Sequence, residues 1–404
     1  MHELILSQYK TLKSENLHID LTRGKPSSSQ LDLSNALLST AVEAFSADGA
    51  DIRNYGEPLG ITEARQLGSE LLDSPIENTI AAEQSSLLLS FQLLLANYLY
   101  GMNGRPWKEI ENPKFICPTP GFDRHFKMLE EFGIQMLPVS LVGDGVDLVE
   151  LADILDKHTD IVGIISVPRH SNPSGDIYSD NNLLKIFELC SNYSKDLVFL
   201  FDHAYLIHDL SSAPQQSSTW SLAEQANVID QTAILTSFSK VTFGGGGLSF
   251  FAGGESTLAL IKKIRASMII CPDKVNQLRH VTFFQNKENV INHMKKHAAL
   301  IQPKFELTIS ILDQMPQECG NFSNPTGGYF ITYKTTKPIA TKVIDICKQA
   351  GVLITPAGAT FPYGLDPDDS IIRLAPTFVE AEELEKAMQV FSAAVQIAHF
   401  DLEV

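Results

Sequence analysis

Three uninterrupted apolar runs of strand length lie in the middle of the chain, at residues 161–167 (IVGIISV), 197–201 (LVFLF) and 232–236 (TAILT). Runs without polar alternation are typical of strands that are buried on both faces, as in a parallel sheet. A helical pattern at 181–193 separates the first two runs, and a loop followed by residues 221–226 separates the other two. This alternation predicts an α/β fold whose mostly parallel sheet is flanked by helices.

The pattern changes at about residue 287, where longer helical segments begin to alternate with isolated short strands. A helical pattern covers residues 289–314, and strand patterns cover 329–333 and 371–375. A final helix follows, for which Thr377-Phe-Val-Glu380 predicts a capping box. Helices with a few intervening strands predict a second, smaller α+β domain.

The chain is therefore expected to divide into three parts. The first 40 residues contain no comparable strand run, so we predict that they pack against the smaller domain. The predicted limits are 1–45 for an N-terminal segment that joins the small domain, 46–285 for the large domain and 286–404 for the small domain.

Composition and charge exclude several classes of partner. Of the 404 residues, 31 are Lys or Arg and 48 are Asp or Glu, so the net charge is −17. Nucleic acids and anionic membrane surfaces both select basic faces, so we expect neither as a partner. The most apolar stretch, residues 87–100, is shorter than the roughly 20 residues of a membrane span and predicts a buried helix.

The cysteines and the N-terminus predict a cytoplasmic protein. The five cysteines are scattered without a CxxC pair, which is typical of reduced thiols, and the N-terminus has no pattern of a secretory signal. We predict no metal site. His293 and His297 are one helical turn apart, but no Glu follows His293, so we interpret the pair as a solvated helix face.

Polar residues follow each of the three apolar runs. Asn172 comes after the first, Asp202 and Tyr205 after the second, and Ser237 and Lys240 after the third. The carboxyl ends of parallel strands meet at one edge of a sheet, where ligands bind. A lysine amine can form a Schiff base with a carbonyl, and a carboxylate can pair with a protonated pyridine nitrogen. An amide and a phenol can donate to a ring oxygen, so the set indicates pyridoxal-phosphate chemistry.

The order of these motifs, with Arg373 further along the chain, is similar to that of fold-type I pyridoxal-phosphate aminotransferases of class I/II. The resemblance extends over nearly the whole chain. It implies a large domain with a mostly parallel sheet of the seven-stranded type and a smaller α+β domain. Four segments more narrowly resemble the MocR-like aspartate aminotransferase subgroup: residues 20–26 (DLTRGKP), 53–60 (RNYGEPLG), 118–126 (PTPGFDRHF) and 239–243 (SKVTF).

The resemblance implies roles for residues around the ring of the cofactor, pyridoxal 5'-phosphate. Lys240 would bond to the cofactor and then move the proton between Cα and C4′, and Asp202 would pair with the pyridine N–H. Asn172 and Tyr205 would bond the ring oxygen. Phe122 would stack on the ring. Two histidines lie next to these residues, His125 and His203, and an approach to the site stays open for either, although we favour packed, hydrogen-bonded side chains.

The resemblance also implies how the cofactor phosphate is bound. Three serine hydroxyls would contact it, those of Ser85, Ser86 and Ser237. Tyr55 would reach the phosphate of a neighbouring subunit, which implies a homodimer with active sites at the interface. Many relatives carry an arginine eight residues after the lysine, where this chain has Leu248 behind a four-glycine run at 244–247. We interpret the backbone amides of that run as a possible replacement.

For the substrate, the resemblance implies that Arg373 clamps the α-carboxylate beside Asn172. Gly24 would let the N-terminal segment approach closely. A dicarboxylate needs a second cation, and the candidates are Arg23, Lys25, Arg53, Arg124 and Arg169. We favour Arg23 because it adjoins Gly24.

The sequence thus predicts a ping-pong aminotransferase that moves an amino group from an L-amino acid to a 2-oxo acid, with aspartate and 2-oxoglutarate as the favoured pair. Aromatic amino acids, alanine and 2-aminoadipate stay open as donors, as does a β-lyase or decarboxylase reaction on the same cofactor. A non-enzymatic regulator would need a DNA-binding domain before the catalytic pattern. That pattern already begins at residue 20, so the regulator is disfavoured.

Overall fold

A computed structural model describes residues 2–210 and 213–403. Its strands are β1 (Ile19–Leu21), β2 (Thr79–Ala81), β3 (Lys114–Thr119), β4 (Gln135–Ser140), β5 (Ile161–Ser166), β6 (Val198–Asp202), β7 (Thr232–Ser237), β8 (Ser249–Gly253), β9 (Gly320–Phe322), β10 (Ile331–Thr335), β11 (Val352–Ile354) and β12 (Ile371–Leu374). Its α-helices are α1 (His2–Ser14), α2 (Ser28–Asp32), α3 (Ala36–Ser39), α4 (Thr62–Leu72), α5 (Ser86–Leu99), α6 (Asp123–Glu131), α7 (Leu148–Lys157), α8 (Asp180–Tyr193), α9 (Thr219–Gln225), α10 (Glu255–Met268), α11 (Lys274–Phe284), α12 (Lys287–Leu312), α13 (Ala340–Gln349) and α14 (Ala381–His399).

The largest sheet in the described ranges has seven strands in the order β2-β8-β7-β6-β5-β3-β4. The pairs from β7 through β4 are parallel, and β8 runs antiparallel to both β7 and β2. Every residue of β5, β6 and β7 is buried. The predicted α/β fold with a mostly parallel sheet is confirmed, and the three apolar runs are its central strands.

Helices cover both faces of this sheet because successive side chains of each strand point to opposite sides. In β6, Val198 and Leu200 pack into a core with α5 and α10, whereas Phe199 and Phe201 pack into a core with α7 and α8. The predicted buried helix at 87–100 is α5, which lies in the first of these cores. Across residues 2–210 and 213–403, no helix is both long and apolar enough to cross a membrane.

Both ends of the chain contribute to a separate core. It contains a three-stranded antiparallel sheet in the order β12-β10-β9, the parallel pair β1-β11, and helices α1, α13 and α14. Ile5, Tyr9 and Leu12 of α1 are buried there, and the Tyr9 hydroxyl donates to the Ile346 carbonyl at 2.9 Å. The domain limits at residues 45 and 285 stay a prediction.

The predicted capping box at Thr377 is wrong. The last helix begins at Ala381, with Glu380 as its N-cap residue and no side-chain capping bond. Thr377 is fully buried, and its hydroxyl donates to the Lys25 carbonyl at 3.1 Å. The threonine therefore holds the N-terminal segment instead of starting the helix.

Candidate active site

The carboxyl edge of the large sheet brings the predicted motifs together. Asp202 ends β6 and Ser237 ends β7. Lys240 follows β7 by three residues, and its Nζ lies 4.8 Å from the centroid of the Tyr205 ring. Burial lowers the pKa of Lys240, and the negative charge of Asp202 opposes that shift. The lysine, the carboxylate and the phenol therefore share one small space.

Asp202 has one carboxylate oxygen that is satisfied and one that is not. The side chain is only 2% exposed, and Oδ2 lies 3.2 Å from Nε2 of His125. Among the residues that the structure describes, Oδ1 is buried without a hydrogen-bond partner. Buried polar atoms in native proteins are nearly always paired. The unpaired oxygen is what a protonated ring nitrogen of a cofactor would complete.

The first turn of α6 positions an aromatic ring beside this carboxylate. Phe122 is the N-cap residue of α6, and its ring lies edge-on to the His125 ring at a centroid distance of 5.0 Å. His125 in turn contacts Asp202. Phe122 is only partly buried, so its ring keeps some surface for contact with a planar ligand.

The start of α5 meets the end of β7, next to the same edge. Ser85 is the N-cap residue of α5 and Ser86 is its first residue. The Ser237 hydroxyl donates to the Ser239 hydroxyl at 3.2 Å, which donates to the Gln84 carbonyl at 2.8 Å. The three predicted serines are thus neighbours at the N-terminus of a 14-residue helix, and such termini favour anions.

Only part of the four-glycine run lies against this corner. A Cβ atom on Gly247 would lie 3.1 Å from both the Gln84 carbonyl oxygen and the Ser239 nitrogen, whereas Gly245 has open space around it. Leu248 is 1% exposed in the core, and its carbonyl accepts from the Phe238 N–H at 2.7 Å. The position that holds an arginine in many relatives is therefore a packing position here.

Arg373 is held by four partners. It projects from β12 and is 6% exposed. Its Nη1 donates to Asn172 Oδ1 at 3.2 Å and to Asp123 Oδ1 at 3.4 Å, and its Nη2 donates to the Thr22 carbonyl and to Thr355 Oγ1, both at 3.2 Å. Burial lowers the pKa of Arg373, while the charge of Asp123 raises it.

Gly24 lies where the N-terminal segment passes the arginine. The guanidinium carbon of Arg373 lies 4.8 Å from the centroid of the Phe330 ring. A Cβ atom on Gly24 would lie 2.5 Å from Cζ of Phe330 and 3.1 Å from Cβ of Tyr329. The absence of a side chain at Gly24 therefore lets the segment pack directly on the ring beneath Arg373.

The five candidate cations differ in what they contact. Arg169 makes two 2.8 Å contacts from Nη2 to the carboxylate of Asp209, and the exposed Arg53 is paired with Asp51. Lys25 lies with its Nζ 3.7 Å from the centroid of the Phe378 ring. These three side chains are engaged elsewhere.

Two of the five candidates remain, Arg23 and Arg124, and both are exposed. Burial is the main cause of the lowered pKa of Arg373, and the positive charge of Arg23 adds a small further lowering. Tyr55 is 75% exposed in the single chain, and its predicted reach to a second subunit stays a prediction.

Comparison with known proteins agrees with this geometry. Residues 1–403 match the model of a protein family described as aspartate amino-transferase. The chain belongs to this aspartate amino-transferase family.

Two relatives match at nearly full length. The aspartate aminotransferase of Corynebacterium glutamicum is 37% identical over 98% of this chain and 93% of its own length. A crystal structure from Corynebacterium diphtheriae has a TM-score of 0.95 at 37% identity and covers 99% of this chain and 100% of that one. The resemblance to the aminotransferases is confirmed, while the MocR-like subgroup stays a prediction.

A more distant structure shares the fold. An α-aminoadipate aminotransferase from Thermus thermophilus, complexed with N-(5'-phosphopyridoxyl)-L-leucine, has a TM-score of 0.77 at 17% identity. It covers 96% of this chain and 94% of its own. The family architecture is therefore retained well beyond the range of close sequence similarity.

The interpretation of His293 and His297 as a solvated face of this aminotransferase is wrong. They are 5% and 0% exposed, and their Nε2 atoms lie 3.1 Å apart. Burial lowers the pKa of His293 and lowers that of His297 to about 3. Every fourth residue after His293, as far as Phe305, is buried: His297, Ile301 and Phe305. This spacing is a sequence signal that could have placed the two histidines on the inner face of α12.

These histidines end a chain of hydrogen bonds that reaches the backbone beside Lys240. His293 Nε2 lies 3.1 Å from the Val241 carbonyl, and His297 Nδ1 lies 3.2 Å from Gln30 Nε2. Gln30 also donates to the Tyr329 hydroxyl at 2.9 Å. That hydroxyl donates to the Lys240 carbonyl at 3.4 Å, so both carbonyls of the Lys240–Val241 segment are held.

Sequence reasoning also missed the contacts that two neighbours of the predicted residues make. His125 is packed as expected, but it contacts Asp202 directly, whereas His203 bonds Thr219 Oγ1 at 2.8 Å. Asp123, the residue after Phe122, faces Arg373. The two residues whose contacts were missed lie in segment 118–126, whose motif indicated importance without indicating which side chains turn inward.

Proposed function

We propose that this protein is a pyridoxal-phosphate-dependent aspartate aminotransferase that uses 2-oxoglutarate as the acceptor. The observation that carries the proposal is the buried Oδ1 of Asp202, which has no hydrogen-bond partner in the described part of the chain and lies at the sheet edge that also presents Lys240. Further support comes from the 37% identical relative in Corynebacterium glutamicum, which is an aspartate aminotransferase.

The described residues fit the cofactor. Asp202 would hold the pyridine nitrogen through Oδ1 while His125 keeps Oδ2 in place. Phe122 would cover a ring face, and Asn172 and Tyr205 would donate to the ring oxygen. The phosphate would be held by hydroxyls at the start of α5 and the end of β7, those of Ser85, Ser86 and Ser237.

When bound, pyridoxal phosphate supplies an aldehyde that takes up the amino group and a ring that withdraws electrons from the α-carbon. Lys240 would anchor that group and then accept and return the α-proton. Burial lowers the pKa of Lys240, which favours the neutral amine that this proton transfer requires. The hydrogen-bonded backbone at Lys240 and Val241 would keep the amine in place.

The substrate would be bound through its carboxylates. Arg373, with Asn172 beside it, would bind the α-carboxylate, because a guanidinium matches a carboxylate in shape and charge. Arg23 would meet the second carboxylate of aspartate or 2-oxoglutarate, since it adjoins Gly24 and three of the four competing cations are engaged elsewhere.

We also propose a cytoplasmic homodimer. The structure has five free cysteines, four of them buried, which suits a reducing compartment. Exposed apolar side chains near the N-terminal third, Leu38, Phe45 and Tyr55, suit a subunit interface. Tyr55 would then approach the phosphate of the neighbouring subunit.

Product analysis tests the proposed reaction. The protein with saturating cofactor is incubated with aspartate and 2-oxoglutarate, and glutamate and oxaloacetate are measured. Equal amounts of the two products support the proposal, whereas release of pyruvate and ammonia instead would indicate a β-lyase. A Lys240→Ala variant with full transamination would refute the role of the lysine.

A further inference from the structure

Every N–H group of the Arg373 guanidinium is already hydrogen-bonded in this structure. An arginine side chain carries five N–H groups. Nε bonds Thr355 Oγ1 at 3.4 Å, Nη1 bonds Asn172 and Asp123, and Nη2 bonds Thr22 and Thr355. A carboxylate that arrives at Arg373 must therefore displace one of these acceptors.

The acceptors are not equally easy to displace. Thr355 is 6% exposed and its hydroxyl also donates to the Thr22 carbonyl at 2.7 Å, so this pair is fixed. Asn172 is 4% exposed. The side chain of Asp123 is 37% exposed, and its 3.4 Å contact is long for a charge-assisted hydrogen bond.

Asp123 also has an alternative way to keep its charge stabilised. It is the first residue of α6, where the helix dipole and free backbone N–H groups favour a negative charge. Leaving Arg373 therefore costs Asp123 less than it would cost a carboxylate elsewhere. Among the partners that the described residues supply to Arg373, Asp123 is the only carboxylate, and it has the chemistry of a substrate carboxylate.

We propose that Asp123 is a specificity-determining residue that occupies the substrate end of Arg373 and is exchanged for each incoming carboxylate. The proposal rests on the role proposed above for Arg373. A carboxylate ligand that displaces Asp123 forms a new ion pair with Arg373, whereas an amine without a carboxylate does not. Asp123 thus weakens the binding of every carboxylate ligand, and a ligand without a carboxylate can replace it at Arg373 only by leaving the guanidinium without a counter-ion.

The test measures the binding of succinate, a dicarboxylate without an amino group, to the holoenzyme. Asp123→Asn keeps the size of the side chain and removes its charge. We expect succinate to bind roughly three- to tenfold more tightly to this variant, because an ion pair no longer has to be broken. The KM values of aspartate and 2-oxoglutarate should also fall, and by a larger factor than any change in kcat.

Glu131→Gln is the matched control, since it removes one negative charge from the exposed far end of the same helix. It should leave succinate affinity as it is. Asp123→Ser, which puts a smaller uncharged polar side chain at the same position, serves as a second variant if the asparagine form does not fold. Unchanged or weaker succinate binding in a folded Asp123 variant would overturn the proposal.

An Arg373→Leu variant separates this proposal from the one on which it rests. If succinate still binds Arg373→Leu with wild-type affinity, the role of Arg373 in the proposed function fails. If Arg373→Leu loses succinate and the Asp123 variants do not gain affinity, only the role of Asp123 fails.

Discussion

The two ends of the candidate site differ in how their charged groups are satisfied. Within residues 2–210 and 213–403, Asp202 keeps one oxygen buried and unpaired at the end proposed for the cofactor, while every N–H of Arg373 is already bonded at the end proposed for the substrate. An unpaired buried acceptor costs about 1–3 kcal/mol. Binding at the first end removes such a cost, whereas binding at the second exchanges one carboxylate for another. The difference suggests one permanent ligand and one transient ligand.

The largest effect is expected at Asp202. Asp202→Asn keeps the shape but removes the charge that would hold a protonated ring nitrogen, so kcat should fall by roughly 10³-fold or more. A coupled assay for oxaloacetate at saturating cofactor measures it. His203→Gln, a change at the adjacent residue, controls for local disruption. A near-normal kcat of the Asp202→Asn enzyme would contradict the proposed role of Asp202 in holding the cofactor.

A smaller effect is expected at the substrate end. Arg373→Lys keeps one charge but loses the planar fork, so the KM of aspartate should rise by about 10²-fold with a lesser fall in kcat. Steady-state kinetics with both substrates provide the measurement. A fall in kcat at constant KM would place Arg373 in the chemical step and contradict the contrast between the two ends.

Arg23→Ala sharpens the substrate end further. Its loss should raise the KM of aspartate by roughly tenfold but leave the KM of alanine nearly unchanged, because alanine has no second carboxylate. Arg124→Ala, which removes the other candidate that is not engaged elsewhere in the described residues, is the matched control. Equal effects of Arg23→Ala on both substrates would mean that the second carboxylate binds elsewhere.

The smallest effect concerns the histidine pair behind Lys240. Burial lowers the pKa of His297 to about 3, below the value of about 6.5 in an unfolded chain. The neutral imidazole therefore favours the fold fully above pH 6.5, and this contribution is lost as the pH falls toward 3, at up to about 1.4 kcal/mol per pH unit.

Denaturant unfolding at several pH values between 7.5 and 4.5 checks this expectation. His297→Gln should be less stable at pH 7.5 and should lose less stability on acidification than the wild type. His18→Gln, a substitution at an exposed histidine, is the control. Identical slopes for His297→Gln and the wild type would contradict the assigned pKa shift.

The fold was predictable where local pattern and burial agree. The runs at 161–167, 197–201 and 232–236 are strands because both of their faces are covered, and such strands need no polar alternation. Asp202 and Ser237 could be grouped for the same reason, since parallel strands end at one edge. In contrast, β1 has only three residues and exists through its pairing with β11, more than 330 positions later.

The unpredicted parts of the site depend on which side chains face each other across distant segments. Asp123 meets Arg373 from 250 positions away, a contact that no local pattern indicates. The sequence around His293 and His297 predicts a solvated helix face. Both are buried because Gln30 and Val241 supply hydrogen-bond partners for their rings. Thr377 has the sequence pattern of a helix N-cap, but its hydroxyl donates to the Lys25 carbonyl of the N-terminal segment instead.

The central claim is that Asp202, Lys240 and Arg373 form one site for amino transfer through pyridoxal phosphate. The most direct test is the absorbance spectrum of the holoenzyme during the two half-reactions, recorded without turnover. We predict that aspartate alone bleaches the absorbance band that the bound cofactor shows near the edge of the visible range, and that one equivalent of oxaloacetate is formed. Addition of 2-oxoglutarate alone should then restore the band. A band that aspartate does not change, or that 2-oxoglutarate does not restore, would contradict the account.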